Sequence, residues 1–560
     1  MRLERRAVNN EILAVILMSA RCASIDIQLK FYNAVTYINK FCIGITMYRI
    51  LNIFFAVLLF RTSNISTEPT GVLFLISSQD TTYHRPLAAR LRDDIINQAE
   101  SQLPNTNYII TVHMLHEIFN FPSYWAIKNA IPLVRSKLLG EHVKWVVWLE
   151  ESTHVLLQAL LEQLVLEDAT RSLYLGHALY DDQANIRHHF AFHKDAEWFP
   201  FPLQRAGIVF SRALIIKTAE AIETATIYSS PFIIDMEHEL ALFIYNEVKS
   251  NALEAQLSAK ELNGTTKSNN IQKVLMRKVH YICSRSDEYG NTDNKCAMYA
   301  KPMETNYYNA LRPHNIFFAV KTCKRFHFDR IPIIKATWAP MASHIRYYSD
   351  VADSQIPTTP TDVPNTEIGH CNKTLTILKL ALREIDDHNR ELGNSVHEQD
   401  KNTHIHWLVL ADDDTLLSIP NLCALLGCFN HTDDIYLGER YGFHHNINNG
   451  FNYITSGGGV AMSLPAVRKL LAHCHCTHSQ DADDMLLGMC FTNLDVPIIH
   501  SQQFHQLRPQ DYPSELLALD PPISFHKFYD LDPISVYNIY FANADHQMLT
   551  TKHLSYTNKK

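Results

Sequence analysis

Short apolar runs alternate with segments of helical period along most of the chain, and the same order of elements occurs twice. Val72 to Ser77 opens the first series and Ile316 to Val320 the second, each patterned as a buried strand. Lys144 to Thr153 (KWVVWLEEST) aligns without a gap with His406 to Thr415 (HWLVLADDDT), and Tyr-Leu-Gly follows at the same distance, at Tyr174 to Gly176 and Tyr436 to Gly438. Gly207 to Ser211 resembles Gly459 to Ser463, and an acidic turn, His238-Glu239 or Asp483-Asp484, precedes an apolar helix in each series. Repeated strand-helix series predict two α/β domains, each a mostly parallel sheet covered by helices. Ser250 to Pro313 has little periodicity and reads as a linker. The expected organisation is a signal or anchor region at 1–63, a first domain at 64–250, a linker at 251–313, a second domain at 314–545 and a tail at 546–560.

Near the N-terminus, Ile50 to Phe60 is an apolar run between Arg49 and Arg61. It has the length of a signal-peptide core and falls short of the roughly 20 residues a free membrane span needs. A start at Met47 would make residues 1–46 an extension. Alternatively, Ile12 to Ala20 is the signal and the later run a short anchor, or both runs are buried helices. The first two readings place the protein in the endoplasmic reticulum lumen or, as a single-pass type II protein, in its membrane, with the Golgi as the alternative. Nine of the eleven cysteines fall between Cys283 and Cys490, where an oxidising compartment would pair most of them, and sequons stand at Asn64, Asn263, Asn372 and Asn430. A formal charge of −8 without long Lys/Arg runs argues against nucleic acid as the main partner.

The chemistry gathers in the second series, where the strand from Trp407 runs into Asp412, Asp413 and Asp414. Alternation puts Asp412 and Asp414 on one side and Asp413 on the other. Carboxylates at the carboxyl end of a strand in an open α/β sheet suit Mg²⁺ or Mn²⁺ with a diphosphate. In the first series Glu150, Glu151 and Ser152 take these positions, so a hydroxyl replaces Asp414 and that domain is expected to be degenerate. Asp483 and Asp484 open the helix Met485 to Phe491, a placement the helix dipole favours on its own. Gly457 to Gly459 lacks the lysine of a phosphate loop and reads as a close backbone approach. His473 to His478 interleaves His and Cys as zinc sites do, but cysteines this dense favour disulfides.

These residues resemble the fringe-like β-1,3-glycosyltransferases of glycosyltransferase family 31. The resemblance rests on Lys321 to Arg330 with Thr337-Trp338, Tyr348 to Asp350, Leu437 to Gly442, Asp483 to Gly488, Phe504 to Gln506 and Pro522 to Lys527, and the later motifs look like its glucosyltransferase branch. It implies two tandem GT-A-like, Rossmann-type domains with the first degenerate. It also implies inverting transfer of glucose from UDP-glucose to the 3-hydroxyl of O-linked fucose on thrombospondin type 1 repeats. By the same resemblance Asp414, His505 and Asp412 hold Mn²⁺ or Mg²⁺, and Asp412 and Asp413 help seat the ribose. Thr322, Arg330, Asp350, Gly458 and Gly459 contact the donor. Asp484 is the base, with Asp483 the fallback. A fringe-like enzyme using UDP-N-acetylglucosamine or UDP-galactose, and an inactive glycan-binding or quality-control protein, are the alternatives. The ending Tyr556 to Lys560 matches no KDEL-like retention signal.

Overall fold

A computed structural model of the chain describes residues 69–557 except 104–105, 184, 189–192, 225–229, 250–272, 286–295, 305–310, 367, 394–402, 446–449 and 479. The two N-terminal apolar runs, the sequons at Asn64 and Asn263 and most of the expected linker lie outside the described residues. Among the described residues no helix is long and apolar enough to cross a membrane. From Thr70 onward the chain forms one compact unit of mixed α/β structure.

The first half builds β1 (Thr70–Ser77), α1 (His84–Gln102), β2 (Tyr108–Met114), β3 (Val143–Glu150), β4 (Tyr174–Gly176), β5 (Ile208–Ser211), α2 (Arg212–Thr224), β6 (Phe232–Ile233), α3 (Met236–Glu247) and β7 (Arg277–Lys278). Its main sheet has the order β7-β4-β5-β3-β1-β2. Trp145 to Leu149 of β3 are all buried, as expected for a strand covered on both faces.

The second half contributes β8 (Ile316–Lys321), β9 (His344–Ser349), β10 (Thr358–Pro360), α4 (Cys371–Gly393), β11 (Trp407–Asp412), β12 (Thr415–Leu417), β13 (Tyr436–Gly438), β14 (Arg440–Phe443), β15 (Phe451–Ile454), β16 (Val460–Ser463), α5 (Leu464–His473), α6 (Asp483–Asn493), β17 (Ile498–His500) and β18 (Ser524–His526). Its sheet runs β10-β9-β8-β11-β16-β13-β17. Alternate residues divide between two cores: Phe318, Trp407 and Val409 pack on one face, Phe317, Leu408 and Leu410 on the other. With β10 set aside, the two sheets have the same strand order and senses. The expectation of a mostly parallel sheet holds, with one strand in each sheet, β5 and β16, running antiparallel to both neighbours. In the second half, β16 returns from the β14–β15 hairpin with no helical crossover, and a parallel neighbour would require one.

The halves are joined by main chain as well as side chains. Strand β6 of the first half pairs antiparallel with β14 of the second. The Trp125 indole donates to Asn452 Oδ1 (3.0 Å), and the Gln79 carboxamide exchanges hydrogen bonds with the His500 backbone (2.9 and 2.7 Å). Helix α6 then lies directly on β15 because residue 488 is glycine. A Cβ there would overlap Tyr453 and the Asn452 carbonyl.

Among the described residues three disulfides form, Cys283–Cys296, Cys371–Cys476 and Cys474–Cys490, and Cys323 is a buried thiol. Bridging occupies Cys474 and Cys476, so they are not zinc ligands. One bridge ties the start of α4 to the loop after α5, and a second ties that loop to α6, the helix that opens with Asp483-Asp484. Replacing Cys474 and Cys490 together by serine is expected to lower stability by about 3 kcal/mol, the cost for a closed loop of this size. Urea denaturation of the oxidised proteins measures it, and an unchanged midpoint would mean that the bridge adds nothing.

Candidate active site

Strands β8, β9 and β11 run parallel and end together, so Lys321-Thr322, Asp350 and Asp412 emerge at one edge. Strand register sets Lys321 beside Asp412, and the lysine makes two ion pairs, to Asp412 (3.1 Å) and to Asp483 at the start of α6 (2.6 Å). Asp483 also accepts from the Thr374 hydroxyl of α4 (2.7 Å). Burial opposes ionisation of Asp483, but Lys321 and Thr374 outweigh it and hold its carboxyl below the usual range. Its neighbour Asp484 accepts the Met485 amide (2.7 Å). Burial, reinforced by the charge on Asp483, pushes Asp484 up to about 7.

The strand ends at Asp412, and Asp413 and Asp414 form a turn. Simple alternation therefore holds only in part. Asp412 and Asp414 do converge, but Arg330 reaches both Asp413 (2.7 Å) and Asp414 (3.0 Å). Asp413 is buried and accepts a second hydrogen bond from Thr322 (2.7 Å). Burial dominates there and raises its carboxyl to about 6. Asp414 is also penalised by burial, yet His526 and Arg330 bring it down to about 2. Asp350 accepts the Lys324 amide (2.9 Å) and so orders the loop after β8.

Asp412, Asp414 and His526 present donor atoms within 4.8 Å of one another. His526 lies at the end of β18, its Nε2 3.0 Å from Asp414 and its Nδ1 2.9 Å from the Gln506 carbonyl. With Nδ1–H donated to that carbonyl, Nε2 carries the lone pair, the arrangement found where a histidine ligates metal. One Asp412 oxygen is buried with the Lys321 ammonium 3.1 Å away, so a divalent cation held here would share this carboxylate with Lys321. Two carboxylates with one imidazole suit Mn²⁺ somewhat better than the harder Mg²⁺.

His505, expected in this set, is not in the group. Its Nδ1 bonds the Ser524 carbonyl (3.0 Å), and its ring stacks on Phe525 and meets the edge of Tyr512. The adjacent Gln506 is the residue that serves the site. Its side chain accepts the Gly458 amide (2.8 Å) and its backbone holds His526. Gly457 has no side chain because the His526 ring occupies that space, and Gly459 takes a left-handed φ of 89°. The structure thus gathers Thr322, Arg330, Asp350, Asp412, Asp413, Asp414, Gly458, Asp483 and Asp484 around one strand edge. Lys321, Thr374 and His526 were missed as site residues. The register of β8 against β11 signals the first, while the others depend on tertiary contacts.

A fringe-like family model matches residues 311–560, the part that carries this cluster. The mouse protein named Beta-1,3-glucosyltransferase is 36% identical over 487 residues, 86% of this chain and 88% of that one. Its human namesake is 36% identical over 476 residues, covering 85% and 86%. The chain belongs to the fringe-like β-1,3-glucosyltransferases. Bovine "Beta-1,3-N-acetylglucosaminyltransferase lunatic fringe" is 28% identical over 130 residues, 23% of this chain and 31% of that protein. Only the glucosyltransferase relatives of these three therefore match a length that must include the first sheet.

Two outcomes are expected of this β-1,3-glucosyltransferase site. Asp484→Asn should lower kcat by roughly 10²- to 10⁴-fold, and in the unaltered protein kcat/KM should rise with pH through about 7 as Asp484 loses its proton. A flat profile between about pH 5.5 and 8 would remove Asp484 from the role of base. His526→Ala should raise the Mn²⁺ concentration needed for half-maximal activity by more than about 10-fold, and His505→Ala by less.

Proposed function

We propose that the chain is an inverting, divalent-cation-dependent transferase that moves glucose from UDP-glucose to the 3-hydroxyl of O-linked fucose on thrombospondin type 1 repeats. The observation that carries this reading is the convergence of Asp412, Asp414 and His526 beside the Asp483-Asp484 turn. The relatives' names and lengths support the sugar and the linkage, and the acceptor follows from the resemblance to protein O-fucose β-1,3-glucosyltransferases. The two sheets of like order are read as two GT-A-like domains, one of them degenerate. The disulfides fit the oxidising lumen of the endoplasmic reticulum.

Asp412, Asp414 and His526 would hold Mn²⁺, which supplies neutralising charge to the departing diphosphate. Arg330 adds a guanidinium beside Asp414. Thr322, Asp413, Asp350 and the Gly458-Gly459 backbone shape the nucleotide-sugar side of the cleft. Asp484 is half-buried at the mouth of α6. It takes the proton from the acceptor hydroxyl as that oxygen bonds to the anomeric carbon from the face opposite the leaving UDP. Lys321 keeps Asp483 ionised, and the charge on Asp483 makes Asp484 the more basic carboxylate.

The purified protein, given Mn²⁺ and an O-fucosylated thrombospondin repeat, should add one hexose from UDP-glucose but none from UDP-galactose, and no N-acetylhexosamine from UDP-N-acetylglucosamine. Chelator or Asp414→Ala should abolish the mass gain. Transfer from another donor alone would overturn the sugar assignment, and no transfer from any donor would overturn the acceptor assignment.

A further inference from the structure

The segment that leads into α4 carries a strained backbone at the edge of the catalytic cleft. Gly369 and His370 both take a left-handed conformation, with φ of 101° and 67°. Three backbone contacts impose it. The Gly369 carbonyl accepts the Asp483 amide (3.1 Å), His370 pairs with Ala482 in an isolated antiparallel bridge, and the His370 carbonyl accepts the Thr374 amide (2.9 Å) as α4 begins. The Cys371–Cys476 disulfide anchors the next residue. At 369 the turn is made by glycine, which bears it without steric cost. At 370 an imidazole is carried on the same kind of backbone, and a side chain there costs stability even though histidine enters this region more readily than branched residues do. Outliers of this kind persist where the surrounding structure over-determines them, and they cluster at sites that handle ligands.

The His370 ring is half-buried, and among the described residues no hydrogen bond or ion pair engages it. Lys321, Asp483 and Asp412 all act on it electrostatically, and these are the groups that pair with one another across the cleft. Burial, reinforced by Lys321, lowers its proton affinity, so near neutral pH the ring offers one N–H and one lone pair. That combination matches an alcohol hydroxyl, which both donates and accepts. Asp412 belongs to the side of the cleft that holds the diphosphate, and the Asp483-Asp484 turn to the side that takes the acceptor proton. The hexose lies between them, because its anomeric carbon is bonded to the diphosphate and attacked from the opposite face.

We propose that His370 is a substrate-contacting residue that hydrogen-bonds a hydroxyl of the hexose being transferred. The inference rests on the reading of the site as that of a UDP-sugar transferase, and it supplies that reading with a contact to the sugar itself. The strain at 370 is then the cost of placing an imidazole where glycine would fold more easily.

His370→Gly in the full chain is the test, since glycine suits the left-handed backbone and the ring alone is lost. The variant should keep its far-ultraviolet spectrum and a Tm no lower than that of the unaltered protein, while kcat/KM for UDP-glucose falls by about 10- to 100-fold. Inhibition by UDP, which has the nucleotide and diphosphate without the hexose, should change by less than about 2-fold, and KM for the acceptor by less than about 3-fold. His370→Asn, which also tolerates this backbone and keeps a donor and an acceptor, should recover part of the loss. A folded glycine variant whose kcat/KM stays within about 2-fold of the unaltered protein would overturn the contact. So would a loss of UDP inhibition as large as the loss in UDP-glucose use, which would assign the ring to the nucleotide, or a loss confined to the acceptor KM. Absence of hexose transfer by the unaltered protein would instead overturn the function proposed above, and this contact along with it.

Discussion

The catalytic end depends on holding carboxylates closer together than their charges allow. Asp412, Asp413, Asp414, Asp483 and Asp484 meet at one edge of one sheet. Two like charges about 4 Å apart repel by about 4 kcal/mol at the effective dielectric of a protein surface, so ionisation requires cations in contact. Lys321 bridges Asp412 and Asp483, Arg330 bridges Asp413 and Asp414, and His526 reaches Asp414. Burial and the charge on Asp483 raise the proton affinity of Asp484, and among the described residues no cation is in salt-bridge contact with it to offset them. The same distribution of charge that stabilises the cluster therefore sets Asp414, held ionised, apart from Asp484, whose proton is held more tightly.

The position of α6 links this chemistry to the first half. Gly488 sets the helix against β15, and β15 is held by β14, by the Trp125–Asn452 hydrogen bond and, through β14, by the first-half strand β6. A further chain runs from Glu439, whose carboxylate accepts the Gln506 amide and the Tyr512 hydroxyl, to the Gln506 carbonyl on His526. The Arg187 guanidinium of the first half lies on the Tyr512 ring. Both sides of the catalytic cleft thus rest on residues that the first half touches, which explains why the halves pack as one unit.

Much of this was legible because it repeats. The alignment of Lys144 to Thr153 with His406 to Thr415 marks β3 and β11 and the strand end that bears the acidic triplet. The strand-helix rhythm identifies mixed α/β structure, and the Asp483-Asp484 turn is visible as the start of a helix. That His526 rather than His505 meets Asp414 was not legible. Phe504-His505 and Phe525-His526 have the same local pattern, and which ring faces Asp414 is decided by tertiary pairing of β18 with β12. The reversed direction of β16 was hidden for a related reason, since a short apolar strand has the same pattern in either sense.

The register of the sheets also sets the strand edge of the first half apart from that of the second. In the second half Lys321 lies beside Asp412; in the first half its counterpart beside Glu150 is Ser77. Without a lysine at that point, burial raises Glu150 to about 7 and, with the charge of Glu150 added, Glu151 to about 8. The remaining position, Ser152, is hydrogen-bonded by Arg205, which also pairs with Asp520 of the second half. The space over these groups is about 80 Å³ and is lined by Arg440, His500 and Gln502 from the second half. Substituting Ser152 by aspartate would add a carboxylate to a place already short of cations. The two strand edges thus differ in how charge is balanced across the whole edge, and in the first half that edge faces residues of the second.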